Sequence, residues 1–300
     1  MEAWIRLAGR ILIVDRVLEA LAPFRSRTSG VPSIAVGPTR SRSLHAIPSW
    51  RNSGSGSLGN WDLDYSTRFD PLPGYTIDLV PGLRLYVTAD GTGVALDQPC
   101  AFPLGDPLIA QSILGPGLLL ALALQGSYSL HAGAVARGGR AAVFLGDSGA
   151  GKSTLAAELD RRRARGWRRL ADDVLPVTRA ADGGIDALPE FPQLKLGPEE
   201  QYVADLSSPE RLPVAAFYLL EMPAADEDAV TIATVSPRDA TVALLAHTVA
   251  SRLFAPDLAA RHFAFCATAA GSVPVKRLRY PRRLQALDAV AEALAADLGI

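Results

Sequence analysis

Cysteine is scarce, with Cys100 and Cys266 the two thiols among 300 residues. They stand far apart with no C-x-x-C spacing, so neither a disulfide framework nor a thiolate zinc site is expected. The 4 histidines form no metal-ligand pair either. Charge of one sign is also missing: 30 Lys and Arg face 31 Asp and Glu, a net charge of −1, which gives no electrostatic reason to bind nucleic acid. Long uninterrupted apolar runs are absent too. Trp4 to Leu21 is broken by Arg6, Arg10, Asp15, Arg16 and Glu19, which argues against a bilayer span and a secretory signal and leaves an amphipathic helix over residues 1–24. The most apolar segment, Ile113 to Leu124, contains Gly115-Pro116-Gly117 and reads as a buried helix. Together these absences predict a cytoplasmic chain with neither a membrane nor a nucleic acid among its partners.

What is present is ample apolar material, 49% of residues, enough for a full core and a further lobe. Residues 25–60 are rich in Ser, Gly, Pro and Arg and lack an apolar period, which predicts a flexible linker or a basic arm that grips an acidic peptide. Over residues 61–125, apolar stretches such as Tyr75 to Val80 and Leu83 to Val87 are separated by Pro81-Gly82 and Asp90-Gly91, the punctuation of a small β-rich N-terminal lobe. Residues 126–300 read as the main α/β domain. Leu130 to Val135 and Ala141 to Leu145 flank Arg137-Gly138-Gly139-Arg140 like the arms of a hairpin. Helix is expected from Thr154 to Arg165 with Gly166 as its cap, from Ser236 to about Arg252, from Leu258 to Ala270, and over the Leu284, Leu287, Val290, Leu294, Leu298 series. Strands are expected over Val214 to Leu220, Val230 to Val235 and Val273 to Tyr280.

The most specific chemistry lies in Gly146-Asp147-Ser148-Gly149-Ala150-Gly151-Lys152-Ser153, followed by Thr154. The G-x-x-x-x-G-K-S spacing follows an apolar strand and opens a helix, so backbone N–H groups and a helix N-terminus face one anion. Lys152 is expected to reach the β- and γ-phosphates and Ser153 to place its hydroxyl on Mg²⁺. Asp172-Asp173 follow a short strand, where a neighbouring β-segment delivers carboxylates beside the phosphates. Adjacent acids on an extended backbone point to opposite faces, so the two should not share one job. A solvated turn is the competing reading of that pair. His131 stands in a small-residue strand before the loop, either a hydrogen-bonded core residue or a group facing the phosphates. Glu190 could see the metal and Lys195, two residues past Gln193, the transferred group; ordinary surface positions compete for both, as for Arg252. Arg277 and Arg279 read as a solvated strand face.

Three motifs in this order, His131-Ala-Gly-Ala-Val, Gly146 to Thr154, and Leu170-Ala-Asp-Asp173, resemble the catalytic domain of HPr kinase/phosphorylase. Pro192-Gln-Leu-Lys-Leu196 and Val273 to Pro281 look closer to the HPr-kinase-like proteins of lasso peptide clusters. The resemblance spans roughly residues 129–295. It implies a phosphoenolpyruvate-carboxykinase-like P-loop core, a mixed sheet with flanking helices, using ATP and Mg²⁺. It also implies that Asp172 takes the proton of an acceptor serine, that Asp173 assists metal or geometry, that His131 sits beside them, and that copies of the chain self-associate. The stretch from Glu190 to Lys195 does not reproduce the signature of the bifunctional members, so the likeness does not extend to phosphorylase activity or to the HPr carrier.

The expected function is therefore an ATP- and Mg²⁺-dependent serine kinase acting on a protein or peptide, a lasso precursor among the candidates. Metal ligands would be Ser153, Asp173 and Glu190. Two alternatives stay open: a nucleotide-responsive binding module without phosphotransfer, and a kinase of a small molecule.

Overall fold

The computed structural model describes residues 3–7, 10–14, 34–38, 50–57, 62–70, 74–80, 82–96, 106–189, 191, 210–222 and 229–299. The chain divides into two compact units. The first comprises Met1–Ser129, Leu194–Ser208 and Val249–Arg261; the second comprises Leu130–Gln193, Pro209–Thr248 and His262–Ile300.

The first unit is built on an eight-stranded sheet. Its strands are β1 (Ala3–Leu7), β2 (Arg10–Val14), β3 (Ile34–Pro38), β4 (Trp50–Ser57), β5 (Asp62–Asp70), β6 (Gly74–Val80), β7 (Leu83–Thr88) and β8 (Gly93–Leu96). Their order is β1-β2-β3-β8-β7-β6-β5-β4. Pairing is antiparallel except where β3 lies parallel to both β2 and β8. Alternation in β7 buries Leu83, Leu85 and Val87 while Arg84 and Tyr86 are partly exposed, the period of two that a half-covered sheet requires. The cover is a helical run made of α1 (Pro107–Ser112), a wide turn at Ile113–Gly117 and α2 (Leu118–Leu124). Asp106 caps α1 by accepting from the Leu108 N–H at 2.8 Å. The run kinks at Gly115, which leaves helical geometry, next to Pro116. On length and composition this run could cross a membrane, but most of it is buried within the protein. A Cβ on Gly117 would come within 2.9 Å of Val94, so the glycine permits close seating of the helix on β8.

Two expectations are corrected here. The amphipathic helix over residues 1–24 is replaced, within the described residues, by the antiparallel strands β1 and β2. Ile5, Ile11, Ile13 and Val14 are β-branched and favour extended backbone, and the two segments pair in register from Ala3 with Val14 to Leu7 with Arg10. The linker proposed for residues 25–60 contributes β3 and β4 to the same sheet. There the Ser- and Gly-rich composition of β4 concealed a strand whose order comes from its antiparallel partner β5.

The second unit is a mixed α/β structure. β9 (Ser127–His131) leads the chain into it, followed by β10 (Gly133–Arg137), β11 (Arg140–Leu145), α3 (Lys152–Asp160), β12 (Arg168–Ala171), β13 (Val174–Arg179) and β14 (Ile185–Ala187). Then come β15 (Leu212–Glu221), β16 (Thr231–Thr234), α4 (Pro237–Ala246), α5 (Pro256–Ser272, of which this unit holds the part from His262 onward), β17 (Val275–Arg279) and α6 (Leu287–Leu298). At the centre of the sheet β11, β15 and β17 run parallel. Antiparallel β10 pairs with β11 on one side and with β12 on the other.

Successive residues of β11 serve opposite faces. Val143 and Leu145 pack with Ala240 and Leu244 of α4 and Cys266 and Ala269 of α5. Ala142 and Phe144 pack with Leu155 and Leu159 of α3 and Val290 and Leu294 of α6. A strand covered on both faces must be apolar throughout, which is why Ala141 to Leu145 shows no polar alternation. Asp297 pins α6 to the sheet: it accepts from Lys276 Nζ at 2.6 and 2.7 Å and from the Tyr218 hydroxyl at 2.6 Å. Burial, then the Asp297 carboxylate, pushes the Tyr218 phenol well above its usual range.

Three helix boundaries differ from the sequence reading. The helix after the glycine-rich loop ends at Asp160, and a short 3-10 turn, Arg163–Arg165, leads to Gly166 at φ +83°. Ser236 caps α4 through the Asp239 N–H, but α4 stops at Ala246 rather than near Arg252. The chain leaves the helix there because the His247 carbonyl accepts from the His131 N–H at 2.7 Å and Thr248 forms a β-bridge with Leu130. The last helix begins as a 3-10 turn at Leu284–Ala286.

Candidate functional site

Strand direction gathers the polar residues of the second unit. Parallel β11, β15 and β17 present their carboxyl ends, Leu145, Glu221 and Arg279, in one direction. β12, antiparallel to β10 as β10 is to β11, delivers Asp172 and Asp173 at that same end. His131 and Ala132 stand just ahead of β10, whose first residue, Gly133, pairs with Phe144. The carboxyl ends of parallel strands are where α/β sheets hold ligands, because the strand-to-helix turns there expose N–H groups.

The turn after β11 is the glycine-rich loop. Gly146 lies at φ +153° and Gly151 at φ +87°, backbone conformations that an L side chain resists. Gly151 is the N-cap of α3, so the chain enters the helix with its first amides turned toward the loop. Asp147, Ser148 and Gly149 are exposed, Ala150 and Gly151 are partly covered, and Ser153 and Thr154 are exposed on the first turn of α3. Lys152 is 6% exposed, yet its ammonium donates to the carbonyls of Gly146 at 2.6 Å and Asp147 at 3.1 Å. Ala150 donates its N–H to the Asp147 carbonyl at 3.0 Å. The ammonium is thus tethered over the hollow of the loop by neutral acceptors, which an incoming anion can replace.

The two aspartates part company at the bend between β12 and β13, which replaces the extended backbone expected for them. Asp173 is buried and lies 3.1 Å from His131 Nδ1, and its carbonyl accepts from the Ala132 N–H at 3.0 Å. Asp172 is only partly buried. A carboxylate held on one imidazole nitrogen sets the ring orientation and leaves the other nitrogen for a ligand.

Three neighbours were not singled out from the sequence. His247 lies close enough to Lys152, Asp147 and His131 to sense their charges. Burial first, then the positive charge of Lys152, holds its imidazole below the ordinary histidine range, with Asp147 opposing. Arg282 donates to the Ala150 carbonyl, to the Tyr280 hydroxyl at 3.0 Å and to the Glu221 carbonyl at 3.2 Å, and its guanidinium stacks 4.6 Å from the centre of the Tyr280 ring. Nothing in the spacing of His247 marked it; Tyr280-Pro281-Arg282 directly after a strand was the available signal for the other two.

Other expected residues fall elsewhere. Glu190, Gln193 and Lys195 lie outside the described residues. Arg252 is exposed and belongs to the first unit. Arg277 and Arg279 are not simply solvated: both pair with Glu221, at 2.9 and 2.7 Å. Among the described residues no group of three His, Cys, Asp or Glu side chains could hold a metal ion. Magnesium bound with a nucleotide needs few protein ligands, since phosphates and waters fill most of its shell. The exposed Ser153 hydroxyl on the first turn of α3 fits that sparse requirement, whereas Asp173 is buried against His131 and Glu190 lies outside the described residues.

No family model and no curated protein matches the chain. Among solved structures it is similar to the Hpr(Ser) kinase/phosphatase from Coxiella burnetii, with 11% identity and a TM-score of 0.33 over 56% of this chain and 94% of that one.

Proposed function

We propose that this chain is an ATP- and Mg²⁺-dependent kinase that phosphorylates a serine hydroxyl on a peptide or protein. The observation that carries the reading is one end of one sheet, where a glycine-rich loop with a buried lysine is joined by an aspartate pair and a histidine. The triphosphate would lie along residues 146–153, its β-phosphate on the loop amides and the first turn of α3. Lys152 would exchange its carbonyl partners for phosphate oxygens, neutralising charge on the transferring group. Ser153 would help hold Mg²⁺, which supplies further positive charge to the phosphates when bound.

Asp172, the more exposed carboxylate, is the proposed base. It would accept the serine proton as the serine oxygen bonds to the γ-phosphorus and the bond from that phosphorus to the β,γ-bridging oxygen breaks, leaving ADP. Asp173 is buried against His131 and is proposed to orient that imidazole rather than to meet the metal. A lasso-type precursor, the acceptor class suggested by the sequence motifs, is the first peptide to try.

The test is incubation with γ-labelled ATP, Mg²⁺ and serine-containing peptides, resolved by mass spectrometry. Label on a peptide serine supports the reading. Nucleotide-dependent peptide binding with no label assigns the chain to the binding modules, and label on a metabolite makes it a small-molecule kinase.

A further inference from the structure

Arg282 holds the outside of the glycine-rich loop, and this has a directional effect on the inside. In a trans peptide the carbonyl and the next N–H lie in one plane and point in opposite directions. The Arg282 guanidinium grips the carbonyl of Ala150, so the partner N–H of that plane, on Gly151, is turned the other way. Gly151 is the N-cap residue of α3, at φ +87°, where its amide belongs to the row of N–H groups that receives an anion. The guanidinium also occupies the space on the other side of Gly151: a Cβ there would come within 2.8 Å of Arg282 Nη1. Glycine at 151 therefore serves both the left-handed backbone and the approach of the arginine.

The arginine is itself fixed. Glu221 offers its carbonyl at the end of β15, Tyr280 offers a hydroxyl at 3.0 Å, and the Tyr280 ring lies under the guanidinium plane. Tyr280 is buried, so its ring is a firm support. A planar fork with several N–H groups can bridge three acceptors in this way; a lysine ammonium cannot reproduce the flat stack.

We propose that Arg282 is a positioning residue that, clamped to Glu221 and Tyr280, presets the Ala150–Gly151 peptide so that the Gly151 N–H faces the bound phosphate. The clamp acts on the loop before any nucleotide arrives, so it raises affinity for the phosphate chain by sparing the loop a reorientation. This inference rests on the nucleotide-binding reading of the loop but does not need the phosphotransfer reading.

Inorganic pyrophosphate and ADP are suitable probes, titrated by calorimetry into the full chain and into Arg282→Ala, Arg282→Lys and Lys152→Ala variants. Arg282 is exposed, so thermal unfolding of its variants should match that of the parent. The expected result is a roughly tenfold or greater loss of affinity for both probes in Arg282→Ala, partial recovery on adding methylguanidinium, and little recovery in Arg282→Lys. In amide-resolved NMR, the Gly151 N–H should shift on pyrophosphate binding in the parent and start from a different position in Arg282→Ala. Parent-like affinity and an unmoved Gly151 signal in Arg282→Ala, with Lys152→Ala still failing to bind, overturn the clamp and leave the nucleotide reading standing. If the parent chain binds neither probe, the nucleotide reading falls and the clamp falls with it. Equal loss in Arg282→Ala and Arg282→Lys without methylguanidinium rescue, accompanied by a lowered unfolding temperature, assigns the arginine to fold stability and also overturns the proposal.

Discussion

The two units each cover a large sheet, and the way they do so separates scaffold from site. In the first, strands mostly alternate in direction and one kinked apolar run, α1 to α2, packs against β7 and β8. In the second, the three central strands are parallel and carry helices on both faces, α4 and α5 on one side and α3 and α6 on the other. Alternating strands scatter their turns over both ends of a sheet. Parallel strands send theirs to one end, and here that end collects the glycine-rich loop, Asp172, Asp173, Glu221 and Arg282. Direction of pairing, more than composition, decides which unit gathers its polar side chains at one end of a sheet.

That contrast can be broken from the second unit first. Lys152→Ala should reduce phosphotransfer by about a thousandfold or more, because charge on the transferring group loses its nearest cation. Steady-state rates with labelled ATP measure this, and a variant within tenfold of the parent removes the loop from the mechanism. Asp172→Asn should lower turnover by about a hundredfold to ten-thousandfold while ADP affinity stays within a factor of two or so. A parallel fall in both would show that Asp172 holds the nucleotide instead of the acceptor proton.

The first unit supplies the control. Leu85 is fully buried on β7, so Leu85→Ala should destabilise that unit by about 2–5 kcal/mol through lost burial and the cavity left behind. Pyrophosphate affinity, carried by the other unit, should not move in the folded fraction. A matching loss of affinity would mean that the scaffold and the site cannot be separated as argued.

A smaller effect sharpens the comparison within the second unit, between His131 at the sheet end and the buried His262. His131 meets a carboxylate, whereas His262 Nε2 lies 2.9 Å from the Thr248 hydroxyl and 3.3 Å from Cys266 Sγ in the core. Burial lowers the His262 pKa to about 4 and raises that of the Cys266 thiol to about 12. An imidazole kept neutral in the fold but free to protonate when unfolded favours the unfolded chain in acid. Its contribution is intact above about pH 6.5 and lost as pH falls toward 4, on the order of 3 kcal/mol across that window. Denaturant titrations at pH 7, 5.5 and 4.5 should show a shallower acid slope for His262→Gln; an identical slope would rule out this histidine as the source.

Local chemistry was readable from the residues in several places. The hairpin of β10 and β11 turns at Gly138 and Gly139, both with positive φ, as the Arg-Gly-Gly-Arg sequence indicates. Ser236 caps its helix with proline at the next position. Strand, loop and helix around residues 141–160 follow the same logic. Less readable were elements whose order comes from distant partners. β1 and β2 looked helical because apolar residues interrupted by charges also suit an amphipathic helix, and β4 looked like linker because Ser and Gly carry little strand preference of their own. The end of α4 was hidden for a similar reason, since the His131 N–H that donates to the carbonyl of His247, just past the helix, arrives from far away in the chain.

By itself the sequence determined the glycine-rich strand-to-helix loop, the apolar character of β11 and the presence of an aspartate pair, because glycine dihedrals, side-chain period and adjacent acids are properties of neighbouring residues. Tertiary structure alone decided that Asp173 turns inward to His131 while Asp172 is less buried, and that Arg282 reaches the carbonyl of Ala150. Those assignments depend on which strands lie side by side and in which direction, and such pairings join residues whose separation along the chain leaves no local trace.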